Sequence, residues 1–254
     1  SALAAGCPVV VKAHPAHPRL SVAIADIANR GLLEAGAPAG AYGMVVGFDA
    51  GLDVVDSPAI AAVAFTGSQT GGMSLVQRAA ARGVPVFAEM GTVNPVLVIP
   101  GVSDRREIAD GFVASFTMGS GQFCTKPGLI LVPEGEGYPE LIRSALSAVE
   151  AVPLLTAAIA ERFREGVSQR GSHALSPRSP AATTGGWAVE PVIITASVDE
   201  LTEGSPLLEE CFGPVAVVAE YPSAESARAA LRRLQPSLAA SIFTGGETHE
   251  YVTQ

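Results

Sequence analysis

Apolar and polar positions fall into blocks along this chain, and the period of the blocks switches repeatedly between strand-like and helix-like. Residues 8–12 form a short apolar run of the kind a buried strand needs. Over residues 20–34, Ile24, Ile27, Ala28 and Leu32 recur at helical spacing, which predicts an amphipathic helix with Ser21 as its cap. A Gly-Ala-Pro-Ala-Gly turn at 36–40 leads into a short strand at 43–47. Residues 60–65 are wholly apolar, which suits a strand in a sheet covered on both faces. Thr66-Gly67-Ser68 then turns into a predicted helix at 69–82, and a strand at 84–88 runs straight into Glu89.

After Asn94-Pro95 the alternation restarts. Strands are predicted at 96–99 and 128–132, with a helix at 104–116 between them. Helices follow within 138–150 and 156–165, and further strands at 187–195, 215–220 and 238–243. Residues 170–186, rich in Ser, Pro, Ala and Gly, read as a surface excursion. Strands alternating with helices imply an α/β fold with a parallel, doubly wound sheet.

Composition narrows the class without naming a function. The chain has 254 residues, 48% of them hydrophobic, with 27 Gly and 19 Pro, enough for one large domain or two smaller ones. A net charge of −9 argues against a nucleic-acid partner. No apolar run reaches the roughly 18–20 residues that span a bilayer, so no membrane partner is expected. Three widely spaced cysteines do not make a disulfide framework, and the cytoplasm is the expected location. The chain opens at Ser1 without a methionine or a basic stretch, so 1–5 reads as the end of a helix rather than a signal peptide. The expectation is a segment of a longer protein.

A few residues carry chemistry. Cys124, in Gly121-Gln122-Phe123-Cys124-Thr125, looks like a thiol presented on a bend, with Gly119, Gly121 and Lys126 marking the bend as exposed. Thiol reactivity depends on the thiolate, and an inert buried cysteine is the competing reading. Cys7 and Cys211 read as packing. Glu89 ends an apolar strand, where a partly buried carboxylate would have a raised pKa suited to proton abstraction; a solvated strand end is the alternative. Gly67-Ser68, with Gly71 and Gly72 a turn later, opens a helix whose N-terminus suits a phosphate, or is simply Ser-capped. No Gly-x-Gly-x-x-Gly run is present. His14 and His17 lack an acidic or thiol partner at ligand spacing, so no metal is expected.

These blocks, with Phe65-Thr66-Gly67-Ser68 and Glu209-Glu210-Cys211-Phe212-Gly213-Pro214, resemble the aldehyde dehydrogenase superfamily, and they stand in that family's order. The resemblance covers the central segment of a family chain. It implies a three-layer αβα fold, with residues 1–91 the last part of a Rossmann-like cofactor domain and 92–254 most of a second, catalytic α/β domain. It implies Cys124 as nucleophile and Glu89 as general base, releasing a free acid. It implies Lys12 on the adenosine ribose, Gly67, Ser68 and Gly72 near the pyrophosphate, and Glu210 and Phe212 at the nicotinamide ribose.

His14-Pro15-Ala16-His17-Pro18 is similar to a branch that oxidises 2-ketoglutaric semialdehyde or fatty aldehydes, often with NADP. Pro15 stands where NAD-preferring relatives carry a glutamate, which favours NADP; Asp49 would repel the extra phosphate and leaves NAD open. A homo-oligomer is implied for the complete protein. Three readings remain. They are an aldehyde dehydrogenase, a non-catalytic relative acting as a binding module, and a cysteine hydrolase pairing Cys124 with His14 or His17. The 254 residues alone are expected to be inactive.

Overall fold

The computed structural model describes residues 2–171, 174–175 and 186–245, so the excursion read at 170–186 lies largely outside the described residues. The chain divides into two units, Ser1–Met90 and Gly91–Gln254.

In the first unit, β1 (Val9–Lys12), α1 (Pro18–Glu34) and β2 (Tyr42–Val45) form a parallel crossover, with Lys12 opposite Val45. After α2 (Phe48–Asp56), a second crossover is built from β3 (Val63–Gly67), α3 (Gln69–Ala80) and β4 (Val86–Met90). Helix α1 starts earlier than its periodicity predicts because Pro18, with its fixed φ and missing N–H, suits the first helical position. Ser21 therefore lies in the first turn and does not cap it; its hydroxyl donates to the His17 carbonyl at 2.8 Å. Ile24 and Ile27 are 53% and 61% exposed, and Ala25 is the buried position. Helix α2 was not anticipated. Gly47, at φ 107°, turns the chain from β2 straight into it.

The wholly apolar stretch at 60–65 is not a strand covered on both faces. The strand begins at Val63, and along β4 alternate residues are exposed. Helix α3 covers the Met90 face, where a Cβ on Gly72 would meet the Met90 sulfur at 2.6 Å. Phe87, on the other face, is 66% exposed.

The second unit is built on a six-stranded sheet. Its strands and helices run in the order β5 (Asn94–Val98), α4 (Arg105–Thr117), β6 (Pro127–Pro133), α5 (Tyr138–Leu146), β7 (Val152–Leu154), α6 (Ala157–Gln169), β8 (Ala174–Leu175), β9 (Trp187–Val189), β10 (Val192–Ser197), β11 (Val215–Tyr221), α7 (Ala224–Leu231) and β12 (Ser241–Phe243). The strand order in the sheet is β12-β5-β6-β11-β10-β8, parallel except at β8. Val96, Val98, Ile130, Val132, Ala216 and Val218 face α4 and α5 across Phe112, Phe116 and Ile142. The alternate residues Leu97, Leu129, Leu131, Val217 and Ala219 share the other core with Phe163 of α6 and Ala227 of α7. That is a helix–sheet–helix stack, and it explains why β5, β6 and β11 read as near-continuous apolar runs. Burying each Leu or Ile side chain here contributes about 1.5–3 kcal/mol.

Residues 187–195, read as one strand, are two. Glu190-Pro191 separates β9, which pairs antiparallel with β7, from β10 in the main sheet. Helix α7 was also missed, although Ser223 caps it in a capping box with Ser226 and Ala227 and Ala230 are its buried face.

Candidate active site

Everything around Cys124 depends on how α4 ends. Gly119, Ser120 and Gly121 follow it with φ of 56°, 61° and 66°, three left-handed residues in succession. Ser120 is the one non-glycine with positive φ among the described residues, and its hydroxyl holds the turn by donating to the Pro153 carbonyl at 3.1 Å. Gly121 has no room for a side chain, since a Cβ there would fall on the Gly213 carbonyl. Gln122 braces the loop by donating to Gly119 O at 3.3 Å and accepting from Leu155 N–H at 3.0 Å. Phe123, Cys124 and Thr125 are exposed at the apex, with the Cys124 thiol free.

The bend is therefore real and Gly119 is exposed as the sequence suggests, but Gly121 and Lys126 are not. Ser120 and Gly121 are buried, and Lys126 is only 6% exposed. The Lys126 ammonium reaches under the loop and donates to the carbonyls of Cys211 at 3.2 Å and Val215 at 2.7 Å. Burial lowers its pKa to about 8. From β5, the buried Asn94 donates to the carbonyls of Cys124 and Lys126, each at 2.9 Å. Sequence reasoning took Lys126 only as a marker of an exposed bend and gave Asn94 no role in the site. Their signal was a polar residue set against apolar strands: Asn94 opens β5, and Lys126 directly precedes β6.

Residues 209–214 pack beside this loop. The Glu210 carboxylate lies over Gly91, where any Cβ would overlap it. Burial raises its carboxyl above the usual range, and nearby Lys126 opposes part of that rise. Phe212 is exposed. Cys211 is buried against Gly166 and Phe163, and burial pushes its thiol up. Arg170 ties α6 to this run, donating to Gly166 O at 2.6 Å and Glu209 O at 2.9 Å. The cavity among Lys126, Arg170, Glu210 and Cys211 measures about 10 Å³, space for about one water and no substrate. Cys7, read as packing, is exposed.

In the first unit, Lys12, Gly67 and Glu89 stand at or near the C-terminal ends of their parallel strands, Thr66 opposite Glu89 and Gly67 opposite Met90. Ser68 caps α3, accepting from Gly71 N–H at 3.2 Å, and Gly72 gives the close approach to Met90 described above. The Lys12 stem lies over Gly51 of α2, where a Cβ would meet its Cδ at 2.6 Å. Glu89 was expected to be partly buried. Period two instead puts it on the Phe87 side of β4, and it is exposed. His14 accepts from Ala16 N–H at 3.2 Å, and its ring lies 6.3 Å from that of His17. Among the described residues, no three His, Cys, Asp or Glu side chains group as a metal site, and no helix is long and apolar enough to cross a membrane.

Comparison with known proteins gives consistent matches. Residues 1–253 match the aldehyde dehydrogenase family. The chain is 34% identical to the alpha-ketoglutaric semialdehyde dehydrogenase of Acinetobacter baylyi, covering 96% of this chain and 48% of that protein. It is 37% identical to alpha-ketoglutaric semialdehyde dehydrogenase 2 of Azospirillum brasilense, covering 95% and 48%. Among solved structures, an aldehyde dehydrogenase of Mycobacterium tuberculosis complexed with NAD+ superposes with a TM-score of 0.82 at 24% identity, covering 96% of this chain and 52% of that one. The chain thus spans about half the length of the curated relatives it matches.

Proposed function

Because the chain belongs to the aldehyde dehydrogenase family, we propose that the full-length protein oxidises an aldehyde to a carboxylic acid with NAD(P) as hydride acceptor. The observation that carries this reading is the free Cys124 thiol, exposed at the apex of a loop whose flanks are buried and hydrogen-bonded. The Cys124 thiolate attacks the aldehyde carbonyl, forming a C–S bond and a tetrahedral oxyanion. A bound nicotinamide would supply the hydride acceptor for that carbon. The thioester left on Cys124 is hydrolysed by a water whose proton Glu89 takes; the C–S bond breaks and the acid leaves. The exposure of Glu89 is compatible with water access.

Residues available to hold the cofactor fit its groups. The exposed Gly67-Ser68 turn before α3 offers a positive helix end for a pyrophosphate. Lys12 is a donor for the adenosine ribose, and Glu210, with Phe212 beside it, an acceptor for the nicotinamide ribose hydroxyls. Ser1–Met90 then serves as the cofactor unit and Gly91–Gln254 as the catalytic one. A keto-acid semialdehyde is the proposed substrate, since the relatives at 34% and 37% identity are named for alpha-ketoglutaric semialdehyde. NADP is preferred over NAD in this reading, on Pro15. Asp49, in the first turn of α2, weighs the other way. The complete protein is proposed to act in the cytoplasm as a homo-oligomer.

The test is aldehyde-dependent formation of reduced cofactor by the full-length protein. Cys124→Ser should abolish it, while Cys7→Ser and Cys211→Ser should retain most of it. Glu89→Gln should give a burst of reduced cofactor followed by slow turnover. NADP should match or exceed NAD in kcat/KM; a preference for NAD above roughly tenfold, about 1.4 kcal/mol, overturns the cofactor choice. No turnover with either cofactor would favour a non-catalytic relative.

A further inference from the structure

We propose that Asn94 is the positioning residue for the Cys124 thiol, gripping the loop backbone on both sides of Thr125. The inference rests on the reading of Cys124 as nucleophile but is argued from the loop alone. Asn94 is 2% exposed and sits at the irregularity in register between β5 and β6, opposite Pro127. Such a bulge re-aims a side chain that would otherwise follow the pleat. Its two N–H groups go to the carbonyls of Cys124 and Lys126. Its oxygen accepts from the Ala239 N–H at 3.0 Å and from the Thr92 hydroxyl at 3.3 Å. All four bonds of the amide are made, and two carbonyls facing one end with an N–H facing the other fix which end is nitrogen.

The Cys124 carbonyl carbon is bonded directly to the Cα that carries the thiol. Holding that carbonyl fixes the last backbone rotation that aims the side chain. The second bond, two residues on, stops the strand from pivoting about the first. The left-handed turn at 119–121 limits the loop from the other end. No other side chain bonds the backbone of residues 123–125 among the described hydrogen bonds. Both described bonds from the Asn94 amide nitrogen go to carbonyls rather than to the thiol, so it acts through the backbone.

The experiment uses the full-length protein with Asn94→Asp, which keeps the shape but loses both donors, and Thr92→Val, which keeps Asn94 but removes one of its props. The rate of Cys124 alkylation by iodoacetamide is followed against pH, alongside kcat and KM for aldehyde and cofactor. For Asn94→Asp the expected result is a fall in kcat on the order of 10–100-fold, the cost of a thiol displaced by about an ångström. KM for the cofactor should stay within about threefold, well under the tenfold that 1.4 kcal/mol represents, and the alkylation profile should change. Partial recovery towards acid pH is expected, because a protonated carboxyl regains one donor. Thr92→Val should change the alkylation profile in the same direction and by less, so a poorly folding Asn94→Asp variant leaves the proposal testable. Unchanged kcat and an unchanged alkylation profile in either folded variant overturn it. Cys124→Ala, run in parallel, separates the two claims. If it keeps oxidation activity, Cys124 is not the nucleophile, while the alkylation profiles still judge the Asn94 grip.

Discussion

Lys126 carries an ammonium where ammonium groups are rarely stable, enclosed beneath the Cys124 loop with two carbonyls as its hydrogen-bond partners. Its ordinary value of 10.5 falls to about 8 in the fold, chiefly because burial disfavours the charge. Between those two values the unfolded chain holds more protons than the folded one, so folding stability gains as pH rises. The cost of the buried charge is present in full below about 8 and relieved as pH climbs towards 10.5. The unfolding midpoint should therefore rise across that window relative to Lys126→Met. A difference between the two proteins that stays constant with pH would contradict the burial of a charged amine. Two tyrosines give a second comparison. The Tyr138 hydroxyl is buried with no hydrogen-bond partner among the described residues, and its pKa is pushed up to about 12, first by burial and then by Glu136. Tyr221 instead donates to the Val98 carbonyl at 2.6 Å. Removing the first hydroxyl, in Tyr138→Phe, should leave stability unchanged or raise it by about 1 kcal/mol, whereas Tyr221→Phe should lose about 1 kcal/mol. Calorimetry on both variants checks the contrast; equal losses would contradict it.

The loop between α4 and β6 carries the Cys124 thiol of the proposed reaction, and it is held by sterics as much as by hydrogen bonds. Gly121→Ala would place a non-glycine at φ 66° and drive its Cβ into the Gly213 carbonyl. Gly101→Ala meets comparable strain, at φ 82°, with nothing within 4 Å of the new atom. Strain alone costs about 1–3 kcal/mol. Gly121→Ala should exceed Gly101→Ala in lost stability and should also lose aldehyde oxidation, while Gly101→Ala keeps it. Equal effects would mean that the 209–214 run yields easily. This element also shows what sequence can and cannot deliver. The bend was readable from Gly119 and Gly121, and the helices and strands either side from their periods. The burial of Lys126 was not, because its partners are carbonyls 85 and 89 residues away, set by sheet register. Helix α7 was lost because its buried face is alanine alone, which carries little periodic contrast. The strand at 60–65 was over-read because hydrophobicity reports what a segment can bury, and here α3 covers only the Met90 face.

At the scale of the molecule, the second unit is a sheet with helices on both faces, and the thiol-bearing loop leaves it directly before its central strand β6. The first unit supplies parallel strands with Lys12, Gly67 and Glu89 at or near their C-terminal ends, where ligands of α/β folds gather. In the proposed reaction the covalent intermediate forms on the second unit at Cys124, the first unit supplies Glu89 as base, and residues of both units, Lys12 and Gly67-Ser68 in the first and Glu210 in the second, hold the cofactor. The most direct measurement is of that intermediate. Full-length Glu89→Gln is mixed with alpha-ketoglutaric semialdehyde and oxidised cofactor, quenched in acid, digested and analysed by mass spectrometry. The account predicts an acyl adduct on the peptide containing Cys124, formed only when cofactor is present and in step with the burst of reduced cofactor. An adduct on Cys7 or Cys211, or a burst with no adduct on any cysteine, would contradict it.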